Sequence, residues 1–263
     1  MNMKYEFFAK TDPGRMRDNN EDSVVFDSPN GLAVLADGMG GYNAGEIASG
    51  MATAFIKADL GHWLSEVGQK ATPAEVSRAM SLCVSKTNQS IFNSANSNPQ
   101  YSGMGTTLVV AVFRGQKLML GHIGDSRCYR LRNGEMTRLT RDHSLLQEQL
   151  DAGLITPEQA LTSTNKNLVT RALGVEDVVT LEVNDFPVEP DDLFMLCSDG
   201  LSDMVGDEAV AQILLHPLSI QSLADRLVAA ANAAGGRDNI SVLLVKANAD
   251  GDKRSILSRL LGH

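Results

Sequence analysis

The sequence predicts an α+β fold in which β-sheets pack against each other and carry helices on their outer faces. Strand-like segments follow one another through short glycine-containing turns, as in hairpins. Two long helical patterns occur side by side, so strands and helices do not alternate one by one as in a parallel βαβ array. With 263 residues, of which 43% are apolar, the chain is long enough to bury a sizeable core.

The first third of the chain contains three predicted strands and two predicted helices. Residues 3–9 and 22–27 are short β-type runs, and the continuous apolar run Leu32–Ala36 leads into Asp37 and Gly38. Apolar residues then recur twice at helical spacing. The first stripe consists of Ile47, Met51, Phe55 and Ala58, and the second of Val76, Met80, Val84, Thr87 and Ile91.

A loop and a β-rich centre follow these helices. The segment Ser94–Ser102 is rich in Asn, Ser and Pro, which predicts a loop. Glycine-containing segments at Arg114–Gln116 and Arg132–Gly134 separate apolar runs, which predicts hairpin turns. The strands predicted in this region are Thr106–Phe113, Lys117–Ile123, Arg127–Leu131 and Glu135–Leu139.

Helices and strands are mixed in the last part of the chain. A short helix is predicted from His143 to Ala152. The sequence Thr156-Pro157-Glu158-Gln159 then has the pattern of a capping box with proline at the first helical position. The later elements are strands at Val178–Phe186, Leu193–Cys197 and Ile240–Lys246 and a helix at Ile220–Ala231.

The predicted domain covers residues 1–247, and residues 248–263 form a short C-terminal tail. Within the tail, Lys253–Leu261 has the pattern of a small amphipathic helix that we expect to pack on the domain. Its apolar side consists of Ile256, Leu257, Leu260 and Leu261.

Composition excludes several classes of function. The formal charge of −9 argues against nucleic acid as a partner, because a phosphate-backbone binder needs a basic surface. Cys83, Cys128 and Cys197 lie in separate apolar segments and are typical of reduced thiols in the cytoplasm. The first residues have no signal-peptide core, and no apolar stretch approaches the roughly 20 residues of a membrane-spanning helix. We therefore expect a cytoplasmic protein without membrane insertion.

Four aspartates occur close to glycine at the ends of predicted buried strands: Asp37, Asp125, Asp199 and Asp238. A single Asp-Gly pair is more often a hairpin turn than a functional site. Four of them indicate a site if the strand ends lie at one edge of a sandwich. Like charges brought together in this way repel unless a cation lies among them.

The ligand types indicate which cation this is. Carboxylates, a backbone carbonyl and water are hard oxygen ligands that suit Mg²⁺ or Mn²⁺ and disfavour structural zinc. Two such ions about 4 Å apart hold a hydroxide and stabilise the attacking and leaving oxygens in the hydrolysis of a phosphate ester.

Eight short motifs occur in one order along the chain: RDNNEDS (17–23), LADGMGG (35–41), GTT (105–107), IGDSR (123–127), DHS (142–144), TRALG (170–174), SDGL (198–201) and GGRDNIS (235–241). Their order and spacing resemble the bacterial branch of the PPM, or protein phosphatase 2C, family of metal-dependent serine/threonine protein phosphatases. The resemblance covers about residues 5–246 and implies a four-layer α-β-β-α sandwich with the metal site at one end of two central, mostly antiparallel sheets.

The resemblance also implies roles for individual residues. Asp37 resembles the carboxylate that bridges two core ions, and the Gly38 carbonyl a ligand of one of them. Asp199 and Asp238 resemble ligands of the other ion. Glu21 and Asp22 match acidic residues that hold metal-bound waters. Asp125 matches an aspartate that forms a weaker third metal site together with Asp199. Arg17 resembles the arginine that binds the substrate phosphate, a role that suits the geometry of a guanidinium.

Some residues have simpler interpretations. Arg17 taken alone is a surface arginine paired with Asp18. In the alternative to the Glu21 assignment, its neighbour Asp22 holds metal-bound water by itself. We expect Asn239 to order the loop that presents Asp238, and His143 to be structural.

Two departures from the family leave the proton donor and the substrate preference open. Met39 and Tyr42 replace histidines found in eukaryotic and bacterial relatives respectively, so a metal-bound water is the proton donor we favour. Ser163–Asn167 stands where many relatives have a His-Pro pair in the flap that is thought to influence substrate choice.

The function implied is removal of phosphate from phosphoserine and phosphothreonine of proteins by a metal-bridging hydroxide, with two Mn²⁺ or Mg²⁺ ions and a weaker third. The partners implied are phosphoproteins and a cognate eukaryotic-like serine/threonine kinase, and we expect a monomer. The alternatives are a pseudophosphatase that acts as a regulatory binding module and a two-metal phosphodiesterase.

Overall fold

Two antiparallel β-sheets face each other in the computed structural model, which describes residues 3–41, 44–161 and 168–249. The five-stranded sheet has the order β1-β11-β10-β7-β8, and the other sheet has the order β2-β3-β5-β6-β9 with β4 paired to β3. The strands are β1 (Met3–Asp12), β2 (Asp22–Asp27), β3 (Leu32–Met39), β4 (Gly105–Thr106), β5 (Leu108–Arg114), β6 (Lys117–Ile123), β7 (Arg127–Arg132), β8 (Glu135–Arg138), β9 (Glu182–Pro187), β10 (Leu193–Cys197) and β11 (Ile240–Ala249).

Helices cover the outer faces of both sheets. Helices α1 and α2 pack on the sheet that contains β3, and α6 and α7 pack on the five-stranded sheet. The α-helices are α1 (Ala44–Val67), α2 (Pro73–Ser97), α3 (Leu145–Asp151), α4 (Pro157–Leu161), α5 (Asp199–Ser202), α6 (Asp207–Leu214) and α7 (Ile220–Ala233). This arrangement confirms the α-β-β-α sandwich.

Strand β3 shows why its sequence is continuously apolar. Ala33 and Leu35 point into the core between the sheets, whereas Val34 and Ala36 point to the opposite face and pack under α1 and α2. A strand with both faces covered has no solvent side, so its pattern does not alternate. Asp37 therefore stands at the end of a rigid, fully buried support.

The predicted hairpin turns are present. Asn133 and Gly134 both have positive φ, at 51° and 85°, as the two central residues of a type I′ turn require. The predicted capping box is also confirmed, because the Thr156 N–H donates to Gln159 Oε1 and the Gln159 N–H donates to Thr156 Oγ1.

The loop predicted over 94–102 begins too early. Helix α2 continues to Ser97, since Ser94 and Ser97 donate their hydroxyls to the carbonyls four residues before them. Polar side chains that often compete with a helix are here bonded along it. Pro99 follows directly after the C-cap and starts a 3₁₀ turn.

Other boundaries also differ from the prediction. The strand predicted over 106–113 is divided at Thr107, and the strand predicted from Val178 begins only at Glu182. Helices α5 and α6 were not predicted, because α5 is one turn long and α6 has only eight residues. Strand β11 extends through Ala249, beyond the domain limit predicted at 247.

The amphipathic helix predicted over 253–261 lies outside the described residues. Within the part of the chain that the structure describes, no helix is both long and apolar enough to cross a bilayer.

Candidate active site

Elements from both sheets bring the candidate residues to one cavity of about 250 Å³. Asp37 lies near the end of β3, Asp125 between β6 and β7, Asp199 at the start of α5, and Asp238 just before β11. The cavity is lined by Arg17, Glu21, Asp37, Gly38, Met39, Gly40, Thr107, Asp125, Val169, Asp199 and Asp238. The chain thus places seven of the eight predicted site residues around one space.

Asp22 is the predicted residue outside the lining. It faces Asp37 in the β2–β3 ladder and is buried beneath it. Its Oδ2 accepts a 2.8 Å hydrogen bond from the Ser198 hydroxyl, which in turn accepts one from the Ser241 N–H. Asp22 Oδ1 is buried without a hydrogen-bond partner among the described residues.

Arg17 pairs with Asp238 and not with Asp18. Its Nη2 donates a 2.7 Å hydrogen bond to Asp238 Oδ2, and half of the Arg17 side chain is exposed at the cavity. This bond is the main reason why the pKa of Arg17 lies above its usual value. A guanidinium that already faces a carboxylate has the charge and geometry to face a phosphate.

Asn239 joins the two loops at the rim of the cavity. Its Oδ1 accepts a 2.7 Å hydrogen bond from the Glu21 N–H, and its Nδ2 donates to the carbonyls of Pro13 and Asn19. The Asn239 N–H donates to Asp238 Oδ1. One buried amide therefore fixes the segment with Arg17 and Glu21 against the segment with Asp238, as expected from the sequence.

Thr106 and Thr107 support Asp37, and the sequence reasoning gave them no role. The Thr106 hydroxyl and the Thr107 N–H both donate to the Asp37 carbonyl. The Asp37 N–H donates to Thr107 Oγ1, which lies 2.7 Å from the hydroxyl of Ser126. The GTT motif was the available signal: its threonines fix the backbone of Asp37 and link it to the loop of Asp125.

Two glycines allow backbones to approach closely. A Cβ on Gly38 would lie 2.1 Å from the Gly45 carbonyl oxygen, and one on Gly200 would lie 2.0 Å from that of Asn239. Both distances are impossible for a side chain. Glycine at these positions lets α1 and β11 close around the carboxylates.

Burial and mutual repulsion raise the pKa values of the carboxylates in the site. Burial, followed by the charges of Asp22 and Asp199, holds the pKa of Asp37 well above its usual range. The pKa of Asp199 is raised in the same way, first by burial and then by Asp125. Burial raises the pKa of Asp22 to about 7 and that of Asp125 to about 6. Among the described residues that line the cavity, the only basic side chain is the half-exposed Arg17, so negative charge is crowded among the buried carboxylates.

A divalent metal fits this set of residues. Carboxylates that disfavour each other's charge, with a buried carboxylate oxygen of Asp22 left unpartnered, are stabilised by a cation. Among the described residues, the lining contains oxygen donors but neither cysteine nor histidine. That donor set suits Mg²⁺ or Mn²⁺.

A second group that meets the distance requirement for a metal consists of His122, His143 and Glu182, whose nearest ligand atoms lie within 4.8 Å of one another. The imidazole centroids lie 4.6 Å apart with an interplanar angle of 18°, so the ring lone pairs lie in two nearly parallel planes. His122 Nε2 already contacts the Arg141 carbonyl, and His143 Nδ1 accepts from the Gly124 N–H. These bonds tie neighbouring loops together, so His143 has the structural surroundings expected from the sequence.

Proteins of known class are similar to this chain in sequence. A family model for protein phosphatase 2C matches residues 15–241. The serine/threonine phosphatase stp of Listeria innocua is 38% identical over 91% of this chain and 94% of its own length. Protein phosphatase PhpP of Streptococcus pneumoniae is 38% identical over 92% of this chain and 98% of its own.

The solved structure of one similar protein contains metal ions. The catalytic domain of serine threonine protein phosphatase PstP, in complex with two manganese ions, is 36% identical, with a TM-score of 0.82 over 94% of this chain and all of that one. Fold and site thus define a metal-dependent phosphatase. This chain belongs to the protein phosphatase 2C family and is a metal-dependent serine/threonine protein phosphatase of the bacterial type.

Proposed function

We propose that the cavity around Asp37 hydrolyses phosphoserine and phosphothreonine of proteins, with two Mn²⁺ or Mg²⁺ ions held by Asp37, the Gly38 carbonyl, Asp199 and Asp238. The observation that carries the proposal is the convergence of these residues with Arg17 in one cavity. When bound, two such ions supply Lewis acidity and a water acidic enough to act as a nucleophile near neutral pH.

The chain's own residues orient the ions and the substrate. Asp37 is central to the site. Thr106 and Thr107 fix its backbone by hydrogen bonds, and the charges of Asp22 and Asp199 act on its buried carboxyl group. Glu21 lines the same cavity, where its carboxylate would orient water. Asp22 acts from beneath, through Ser198 and its position opposite Asp37.

Arg17 binds the phosphate. Its guanidinium lines the cavity, donates from Nη2 to Asp238 and is half exposed, so it has donors left for a phosphate. Met39 lines the cavity at the position of the histidine in eukaryotic relatives, and no described lining residue offers an imidazole. A water held at the metal site, and not a side chain of the lining, is the donor that we propose for the leaving oxygen.

Asp125 belongs to a weaker third cation site. It lies between the catalytic cavity and an adjoining groove of about 350 Å³, and it shares both spaces with Asp199. Asp203 lines the same groove and contributes to the raised pKa of Asp125. A cation there would be held by Asp125 and Asp199, the two residues that line both spaces.

Partners and context extend this proposal. A serine/threonine phosphatase requires a kinase that makes its substrates, which supports a cognate eukaryotic-like serine/threonine kinase. The described cavity is complete within one chain, which supports a monomer. The three cysteines are free and buried, which supports the cytoplasm. We propose residues 1–247 as the phosphatase domain and 248–263 as a tail, into which β11 continues for two residues.

Hydrolysis of a phosphothreonine peptide, p-nitrophenyl phosphate and DNA under matched conditions tests the proposal. We expect Mn²⁺ or Mg²⁺ to support hydrolysis of the first two, EDTA to abolish it, and added metal to restore it. Binding of the peptide without hydrolysis would favour a pseudophosphatase, and cleavage of DNA would favour a phosphodiesterase. Full activity after EDTA treatment and dialysis would contradict metal dependence.

A further inference from the structure

A second groove lies next to the catalytic cavity along the chain. It has a volume of about 430 Å³ and lies in the segment 170–180. We name it the valine groove after Val175, Val178 and Val179, which line it. Val175 is 55% exposed and Val178 is 72% exposed. A group of exposed apolar side chains usually marks a contact surface.

The valine groove is continuous with the catalytic cavity. Val169 lines the cavity and the next residue, Thr170, lines the groove. A Cβ on Gly105 would lie 2.9 Å from Val175 Cγ2 and 3.6 Å from Cγ of Met39, a cavity residue. The side chains of Met39 and Val175 therefore approach the same buried glycine, next to the Leu173 carbonyl, which places apolar groups of the cavity and of the groove close together.

The segment that forms the groove is held rigidly. Buried Asn88 of α2 donates to the carbonyls of Glu176 and Asp177 and accepts from the Gly174 N–H. Leu173 exchanges two backbone hydrogen bonds with Thr106, which also bonds to the Asp37 carbonyl. The groove is therefore fixed in position relative to the catalytic centre, which lowers the entropic cost of binding.

The chemistry of the groove favours an apolar occupant. Its charged lining residues are Arg171 and Glu176, one of each sign, so the groove has no net preference for charge. The groove that Asp125 shares with the catalytic cavity is lined by four aspartates and one arginine, Arg127, and is acidic by contrast.

We propose that the valine groove binds an apolar side chain next to the phosphorylated residue and so determines substrate preference. This inference rests on the proposed phosphatase function. Adjacent residues of a substrate have Cα atoms about 3.8 Å apart, so a neighbour of the phosphothreonine in the cavity lies at the rim. Met39 and Val175 form that rim on one side, and a Leu or similar residue there covers apolar surface that is otherwise wet.

The test compares phosphothreonine peptides that differ only in the residues next to the phosphothreonine, which are Leu, Ala, Lys or Asp. We expect kcat/KM with Mn²⁺ to be about fivefold to tenfold higher for Leu than for Ala on one side of the phosphothreonine, mainly through KM. In V175D and V178D the Leu-to-Ala ratio falls to about one, and the Lys peptide becomes preferred. Ratios within one enzyme cancel any general loss of stability or activity.

Leu215→Asp is the matched control, because Leu215 is 44% exposed at the end of α6 and lies outside both grooves. It retains the Leu preference. Equal kcat/KM for the Leu and Ala peptides in the wild type, a wild-type preference for Lys, or a Leu preference that persists in both valine variants would overturn the inference. Hydrolysis of none of the peptides by the wild type would overturn the proposed function itself, and the inference with it.

Discussion

Arg17 and Asp238, which are 221 positions apart in the chain, are joined by a 2.7 Å hydrogen bond from Nη2 to Oδ2. The pair connects the loop before β2 with the loop before β11 at the mouth of the cavity. It places a fixed positive charge beside a carboxylate that we assign to the metal. In the proposed function, this guanidinium would bind the substrate phosphate next to that carboxylate.

Replacing Arg17 with alanine should raise KM for a phosphopeptide and leave Mn²⁺ affinity nearly unchanged. Loss of a hydrogen bond to a charged group costs about 1.5–3 kcal/mol, which corresponds to about tenfold to hundredfold in KM. Steady-state kinetics and calorimetric Mn²⁺ titration measure the two quantities. Arg226→Ala, on the exposed face of α7, is the matched control. An unchanged KM, or a large loss of Mn²⁺ affinity, would make Arg17 a surface residue or a metal-site residue instead.

The stability of the metal-free protein should fall as the pH rises. The folded-state pKa of Asp22 is raised to about 7, so the folded chain binds the proton more tightly than the unfolded chain does. The associated stability is complete below the ordinary carboxyl pKa of about 4 and is lost as the pH rises to the folded value. We expect the melting temperature in EDTA to decrease from about pH 5 to about pH 8.

Asp22→Asn is the variant that assigns this effect. Its amide oxygen still accepts from Ser198, while no charge is buried at higher pH. The melting temperature of the variant should depend less on pH than that of the wild type, and Mn²⁺ should flatten the wild-type curve. A wild-type melting temperature that increases over the same range would contradict the assigned burial of these carboxylates.

Much of the sandwich could be predicted because its signals are local. The Asn133-Gly134 turn and the unbroken apolar run of β3 each depend on a few neighbouring residues. The end of α2 was misplaced because Ser94 and Ser97 bond along the helix, which the composition alone does not show. Helix α5 is too short to produce a periodic pattern.

The site was predictable in its residues but not in its supports. Asp-Gly motifs identified Asp37 and Asp199, and the structure brings both to the cavity. The contact of Asn239 with Glu21 spans 218 positions, and no local pattern encodes it. The position of Asp22 beneath the cavity depends on its register opposite Asp37, which only the folded sheet defines.

Thr107→Val should lower both stability and kcat. The valine retains the shape of the side chain but leaves the Asp37 N–H without its acceptor and removes the link to Ser126. An unsatisfied buried donor costs about 1–3 kcal/mol, and Asp37 loses part of its support. Urea denaturation and kinetics with p-nitrophenyl phosphate measure these effects. Thr137→Val, on exposed β8, should change neither; equal behaviour of the two variants would remove Thr107 from the support of the site.

The central claim is that Asp37 is shared by two core ions and that Asp125 belongs only to a weaker third. Asp37→Asn and Asp125→Asn change charge without changing size, so both should keep the fold. We expect the wild type and Asp125→Asn to bind two Mn²⁺ ions tightly. Asp37→Asn should lose tight binding, together with a fall in kcat of several orders of magnitude.

The most direct measurement is the number of Mn²⁺ ions bound at equilibrium by each of the three proteins, determined by electron paramagnetic resonance of the free ion. The account predicts two tight ions in the wild type, two in Asp125→Asn and none in Asp37→Asn. Two tight ions in Asp37→Asn, or equal losses in both variants, would contradict it.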